Sequence, residues 1–480
     1  MLDDSVVLIS RIESNCDVNS FVFKGIKVWP LIRIVLDSEL QNASKQSKSS
    51  IIRRLTLSQL FRYALNAFLK SMSISFYLFQ RKVAKNCNGI FFTQTSLYTS
   101  IAGCRGYFDR IADPFIESAK NLVVVQKVLF GQTKHARLHE PGHVILIDKS
   151  QNYKASDIEN YSELELEIGK TSIEFQYFEE ALNGALNDFY CAFEISKRLY
   201  QNCNKLSFIV SDCWYSYYHM GAIAAARQNN LKVIELQHGS QGGHPAYRDW
   251  GKVPVDGYEI MPNSFWCWDL NSAEQIDKWA KTSNGHSSVI TGYPWKEYRQ
   301  SMKRQSGSID YLENTNEIHK PRLLVTLQGK TVSNNPIALA EEIIERLNGK
   351  HVEVTFKLHP NEITTKREIT KVLNVCGDKV KVVSSESDLY YLLEKSTHHV
   401  TAYSSSCIDA YLQGVPTLLI GEDAHSAYTY EISCGIFSWA RGVGIEIEQF
   451  IFGQEIPSSI AESYVKTSLD VFRPQIMNLI

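Results

Sequence analysis

The chain has no long apolar run. No uninterrupted stretch reaches the roughly 18–20 residues that a bilayer-spanning helix needs. The nearest candidate, Leu60 to Phe79, is broken by Arg62 and Lys70. Neither sign of charge is in surplus: the 480 residues carry a formal net charge of −2, so the basic footprint of a nucleic-acid binder is missing. The ten cysteines show no paired CxxC…CxxC spacing, which argues against zinc. Met1-Leu2-Asp3-Asp4 lacks the basic n-region of a secretory signal, and a reduced, cytoplasmic protein is expected. There is no Gly-x-Gly-x-x-Gly fingerprint, which disfavours a dinucleotide dehydrogenase. There is also no Asp-x-Asp pair arranged for a divalent ion. No metal and no other cofactor is expected, and no internal repeat is visible.

What is present is enough apolar matter, 44% of residues, for ordinary globular cores. The length suits two domains plus an extension. Residues 1–88 form an atypical start. Val22 to Val28 reads as strand with a Lys-Gly turn, and Trp29-Pro30 opens a helix, Pro30 suiting the first turn. Gln41 to Ser50 is polar and loop-like. The stretch from Leu60 to Phe79 is flanked by Arg53, Arg54, Arg81 and Lys82. A basic amphipathic helix of this kind suits an anionic membrane surface, which would put the protein at the inner face of the membrane. A packing helix with a solvated basic edge is the plainer reading.

From residue 89 strands and helices alternate. Gly89-Phe92, Leu122-Val125, His143-Ile147, Leu206-Val210, Lys232-Leu236, Ser264-Trp268 and Ser288-Ile290 read as strands, with a helix over Met220-Asn229. This first series spans 89–304. Residues 305–320 are polar, of mixed charge and weakly periodic, as in a linker. A second series over 321–440 has strands at Arg322-Thr326, Val352-Phe356, Val380-Val383, His399-Ala402 and Thr417-Ile420, with helices over Pro336-Leu347 and Ser406-Gln413. Residues 441–480 read as a helical tail. Alternation of this kind implies parallel strands joined by right-handed crossovers. The fold class is therefore α/β: two Rossmann-like domains facing a cleft, after a mainly helical extension.

In such sheets ligands bind at the carboxyl ends of the strands. Two of these ends are rich in phosphate-binding chemistry. Lys357-Leu358-His359-Pro360-Asn361-Glu362 closes one strand, and Tyr403-Ser404-Ser405-Ser406 follows another. An ammonium and an imidazole supply charge, while hydroxyls and helix N–H groups supply donors. Together with Gln237-His238-Gly239, His244-Pro245 and Gly414-Val415-Pro416-Thr417, these segments resemble a GT-B glycosyltransferase of bacterial surface-polysaccharide synthesis. The His-Pro and Ser-Ser elements are similar to those of capsular sialyltransferases, polysialyltransferases and Kdo transferases. Similar histidines occur in polyglycerol-phosphate transferases. The likeness covers roughly residues 89 to 440. The acidic Asp/Glu-Asp-Gly element of the sialyltransferase pattern has only a partial echo in Asp256-Gly257.

The resemblance implies transfer of a sugar from a nucleotide-sugar donor to a glycan or lipid-linked glycan, inverting and metal-independent. A CMP-linked nonulosonic acid or Kdo is the favoured donor. His359 and Lys357, two apart on a strand, share a face and suit the leaving nucleotide, whose growing charge they would stabilise. Ser404, Ser405 and Ser406 exceed what one N-cap needs and suit a phosphate. Gln328, Gly329 and Lys330 follow the first strand of the second half, and Glu422 could bind ribose hydroxyls. His238 is the candidate general base, with His244, Asp249 and Asp256 as rivals. His244, Asp249, Arg105 and Asp109 are candidates for the acceptor side, although Arg105 to Pro114, which also holds Arg110 and Asp113, reads more simply as a solvated helix with internal ion pairs. Trp214, Tyr215, Tyr217 and Tyr218 read as core packing before a sugar platform. The competing functions are a polyol-phosphate transferase, a UDP-sugar 2-epimerase and a non-catalytic polysaccharide assembly protein.

Overall fold

A computed structural model describes residues 2–46, 86–94, 98–130, 143–145, 152–171, 175–241, 244–307, 320–328, 336–359, 380–453, 465 and 468–479. The basic stretch Leu60 to Phe79, most of the 305–320 linker, Gly329, Lys330, and Pro360 to Glu362 lie outside these residues.

The chain opens with a helix, Leu2–Asn15, and a two-residue hairpin of β1 (Val22–Phe23) and β2 (Ile26–Lys27). Lys24 and Gly25 turn it with φ of 52° and 78°, the double left-handed geometry that matches strand twist in short hairpins. A helix over Trp29–Gln46 follows. It continues through the first six residues of the segment expected to be a loop, because side-chain polarity alone does not end a helix without a Gly or Pro stop.

The first sheet contains β3 (Gly89–Thr93), β6 (Val125–Phe130), β7 (His143–Ile145), β8 (Phe208–Ser211), β9 (Lys232–Leu236), β10 (Ser264–Cys267) and β11 (Ser287–Ile290). Its order is β11-β10-β9-β8-β3-β6-β7, all parallel. A small ribbon of β4 (Tyr98–Thr99) and β5 (Phe108–Asp109) stands apart. Strands β3 and β8 are buried at every position, as expected where helices cover both faces. The strand expected at Leu122–Val125 begins only at Val125. Leu122 and Val123 instead close the preceding helical turn through bonds to the Ala119 carbonyl.

The second sheet contains β12 (Arg322–Thr326), β13 (Glu353–Lys357), β14 (Val380–Val383), β15 (His398–Thr401), β16 (Thr417–Ile420) and β17 (Ser438–Ala440). Its order is β14-β13-β12-β15-β16-β17, again all parallel. The fold is thus two parallel α/β sheets, the GT-B arrangement.

The N-terminal extension is built into the first domain. Leu8, Ile12, Trp29, Ile32 and Leu36 share one apolar core with Phe189, Ile223 and Trp250. Inside that core Glu13 receives Trp29 Nε1 and Arg33 Nη1 at 2.9 Å each, and the Gly251 N–H at 2.9 Å. Arg33 also donates to the carbonyls of Arg248 (2.6 Å) and Asp249 (3.0 Å) and lies 4.2 Å from the Trp250 ring centre. A Cβ at Gly251 would meet the Glu13 carboxylate at 2.6 Å, so only glycine fits. The tail does not stay with the second domain. Residues 468–479 return to the first, where Phe472 packs on Phe115 and Trp266, and Leu469 N–H bonds Glu297.

Arg33→Met should destabilise the fold by about 3–5 kcal/mol, because it leaves Glu13 buried without its cation. The shift in urea midpoint relative to wild type measures this. A shift below about 1 kcal/mol would mean that the pair is not carrying the N-terminal helices.

Candidate functional site

The carboxyl ends of both sheets converge on a charged centre between the domains. From the first domain come Asp212 after β8, His238 two residues after β9, and Tyr293 after β11. Arg110 joins them from the turn between β5 and the helix Ala112–Ala119. From the second domain come Lys357 at the end of β13 and Asp409 on the helix Ser406–Leu412. Arg110 Nη1 lies 3.7 Å from Asp409 Oδ2, across the domain boundary. The same boundary is latched by Arg299, which bonds Asp388 at 2.6 Å and Glu394 at 3.0 Å.

His238 is held by Tyr215. Its Nε2 lies 3.2 Å from the Tyr215 hydroxyl, and its Nδ1 has no hydrogen-bond partner among the described residues. Tyr215 in turn stacks on His244, with ring centres 4.4 Å apart, and His244 Nδ1 accepts the Ala246 N–H. Burial first, and then the Arg110 charge, push His238 down to about 3; the Asp212 backbone pulls weakly the other way. Burial, Arg33 and Arg248 push His244 down to about 4. Both rings are therefore neutral near pH 7, with one acceptor nitrogen each, and that of His244 is spent on the Ala246 N–H.

Of the nearby carboxyls, Asp212 and Glu235 each use one oxygen and keep the other without a hydrogen-bond partner among the described residues. Asp212 accepts the Gln94 N–H at 3.0 Å, and Glu235 accepts the Tyr247 hydroxyl at 2.6 Å. Burial raises both well above the usual carboxylate range, as desolvation does when no cation compensates. Asp409 is likewise raised by burial, with Arg110 opposing.

Lys357 is buried, and its Nζ donates to the Ser385 carbonyl at 2.6 Å. Burial and then Arg110 lower its ammonium to about 8, with Asp388 opposing. His359 lies half-buried two residues further on. The three serines divide their tasks. Ser406 Oγ is 2.7 Å from Thr326 Oγ1, which is 2.9 Å from His399 Nε2; His399 Nδ1 reaches Thr417 Oγ1 at 3.1 Å. Ser404 Oγ accepts the Ser406 N–H, whereas Ser405, at the cap position, makes no side-chain cap. Gln328 braces this loop by accepting the Tyr403 N–H at 2.9 Å.

Five residues expected at the site are either committed to structure or exposed. Asp109 is fully buried and cannot hold an acceptor: its carboxylate takes the Thr93 hydroxyl and the N–H groups of Ile111 (3.0 Å) and Ala112 (2.8 Å). It caps a helix that begins at Ala112, so the expected Arg105–Pro114 helix is a strand and a turn instead. Arg105 is exposed in that loop. Asp249 is exposed at φ 57°, with its carboxylate on Arg248 at 3.3 Å. Glu422 is exposed and pairs with Arg441 at 2.6 Å. Asp256, the last rival base, is also exposed, and its carbonyl receives Arg227. Arg110, Asp409 and Tyr293 were not singled out as site residues, because nothing local distinguishes the one arginine of a charged stretch that crosses to another domain. Tyr215 was visible in an aromatic cluster but read as core. Among the described residues no group of three or more His, Cys, Asp or Glu could hold a metal ion, and no helix is long and apolar enough to cross a membrane.

No protein-family model matches the sequence, and no curated protein sequence matches it. Solved structures do share the fold. UDP-GlcNAc 2-epimerase from Neisseria meningitidis bound to UDP-GlcNAc superposes with a TM-score of 0.53 at 12% identity, covering 82% of this chain and 98% of that one. The S. aureus MnaA–UDP complex gives 0.51 at 12%, covering 82% and 97%. UDP-N-acetylglucosamine 2-epimerase from Rickettsia bellii gives 0.51 at 11%, covering 82% and 96%. At this identity the likeness is one of fold.

His238, His244 and His399 should stay neutral at about pH 5, where an unperturbed imidazole near 6.5 is mostly charged. The sign follows from burial disfavouring the cation, which moves each protonation to lower pH. Imidazole nitrogen NMR shifts report this directly. Midpoints near 6.5 for all three would show that the rings are solvated.

Proposed function

We propose that this protein is a nucleotide-sugar-dependent transferase that moves a glycosyl group to a hydroxyl acceptor of a surface glycan, with His238 as the base. The observation that supports this reading is the neutral His238 imidazole at the domain boundary, held by Tyr215 and beside carboxyls whose acid forms burial favours. Transfer to a hydroxyl asks for a group that takes an O–H proton as the new bond forms. Asp212 and Glu235 each keep an oxygen without a hydrogen-bond partner among the described residues, but burial favours their acid forms, so the imidazole supplies the lone pair. Burial and the Arg110 charge make it a weak base on its own. A donor phosphate brings negative charge to the same space and offsets the Arg110 contribution, so the base strengthens when the donor is bound.

On this reading Tyr215 fixes the ring and His244 backs Tyr215. Lys357 and His359 close the donor side, and Gln328 with the serine loop shapes it. The donor is read as a nucleotide-activated sugar. UDP is tested beside CMP because two of the fold neighbours hold UDP or UDP-GlcNAc. A polyol-phosphate donor is tested through CDP. A second reading, a UDP-sugar 2-epimerase, is favoured by those same neighbours.

Thermal-shift measurements with CMP, UDP, GDP and CDP should show stabilisation by a nucleotide that matches the donor. His238→Ala and His238→Asn should each lower transfer about 10²–10⁴-fold while nucleotide stabilisation is kept. An active His238→Asn would make the residue positional rather than the base. Conversion of a UDP-sugar with no acceptor present would establish the epimerase reading in its place.

A further inference from the structure

We propose that Arg110 and Lys357 form a two-walled seat for the phosphate groups of the nucleotide donor, one cation from each domain. This rests on the sugar-nucleotide reading above and assigns Arg110 a role that the sequence did not suggest.

Three observations converge. Arg110 is held by its backbone, because the Asp109 carboxylate fixes the N–H groups of Ile111 and Ala112 directly after it. Its guanidinium is 23% exposed at the cleft. It carries five N–H donors, yet among the described residues its only ionic contact is the 3.7 Å approach to Asp409, and no hydrogen bond leaves it. Lys357 is buried, spends one donor on Ser385, and has two more. Third, the two cations repel each other: the Arg110 charge is second only to burial in lowering the Lys357 ammonium.

The carboxylates that could balance them are spent elsewhere. Asp388 serves Arg299 and the N–H groups of Ala102 and Tyr390. Asp109 serves Thr93 and the following turn. Asp409 is at long range and shifted toward its acid form by burial. Among the described residues Asp409 and Asp109 offset the burial of Arg110 and favour its cation, whereas burial and Arg110 both work against the Lys357 ammonium. An anion seated between the two would relieve that repulsion. A phosphate suits both walls: guanidinium binds it through paired N–H groups, and the ammonium binds as a point charge.

The test is calorimetric titration of the full chain with inorganic pyrophosphate, against sulfate at matched ionic strength. Wild type should bind pyrophosphate. Arg110→Gln and Lys357→Met should each weaken it about 10–100-fold, the loss expected for a charge-assisted hydrogen bond. Arg110→Lys should recover part of the Arg110→Gln loss. A second readout separates ligand contact from structural support. Arg110, His244 and His219 are the groups whose charge bears on His238, with Tyr215 and the Asp212 backbone against its ring. Pyrophosphate should therefore raise the His238 midpoint in wild type and leave it unmoved in Arg110→Gln. Wild-type affinity in both variants, or no preference for pyrophosphate over sulfate, would overturn the seat. Sugar transfer with an Arg110-independent pyrophosphate site would sink this inference alone. Arg110-dependent binding without sugar turnover would sink the functional reading alone.

Discussion

The buried pair of Glu13 and Arg33 is the contact on which the loop behind His244 depends. Glu13 ties the two N-terminal helices to each other and to Gly251. Arg33 holds the carbonyls of Arg248 and Asp249. That loop starts at His244, which stacks on Tyr215, which bonds His238. A chain of contacts thus runs from the first fifteen residues to the imidazole at the cleft. The charge of Arg33 also helps keep His244 neutral. Isolating such a pair is expensive, and it persists because the Trp29 indole, the Gly251 N–H and the carbonyls of Arg248 and Asp249 meet most of its donors and acceptors, Arg33 Nε excepted. The extension therefore belongs to the chemistry of the first domain, whatever surface the rest of the N-terminal region meets.

Much of the fold was legible in the sequence. Alternating apolar runs and helical stretches placed nearly every strand of both sheets to within a residue or two, because fully covered parallel strands are continuously apolar. Leu122–Val125 slipped since Leu122 and Val123 are apolar for a different reason: they pack in the core with the helix Ala112–Ala119, whose last turn they close, rather than in the ladder, and Val124 is exposed. The candidate site was legible only in part. His238, Lys357 and the serine loop sit at strand ends, where topology directs a ligand and local sequence signals it. Arg110, Asp409 and Tyr293 acquire their places from the meeting of two domains, which no local pattern encodes. Asp109 illustrates the converse error. A carboxylate in a charged stretch looks available, but here it is consumed by two backbone N–H groups and a hydroxyl.

Burial sets the protonation of the centre more than pairing does. His219, His238, His244 and His399 are all lowered, while Asp212 and Glu235 are raised, and desolvation is the leading cause in each case. Neutral imidazoles and carboxylic acids can share a small space without repulsion. The cations there sit among opposing groups: Asp409 and Asp109 favour the Arg110 charge, while Asp388 partly offsets the burial and the Arg110 charge that lower the Lys357 ammonium.

The return of residues 468–479 to the first domain has a consequence for how the protein is made. Phe472 fills the space between Phe115 and Trp266, and Leu469 and Asn478 are bonded by Glu297, Ser118 and Lys232. During synthesis the first sheet can form early, but this part of its surface stays uncovered until the second sheet has left the ribosome. The first domain must then wait, with Phe115 and Trp266 exposed, for a segment encoded after its neighbour. The second domain folds inside that interval, so closing the tail seals both sheets in one final event.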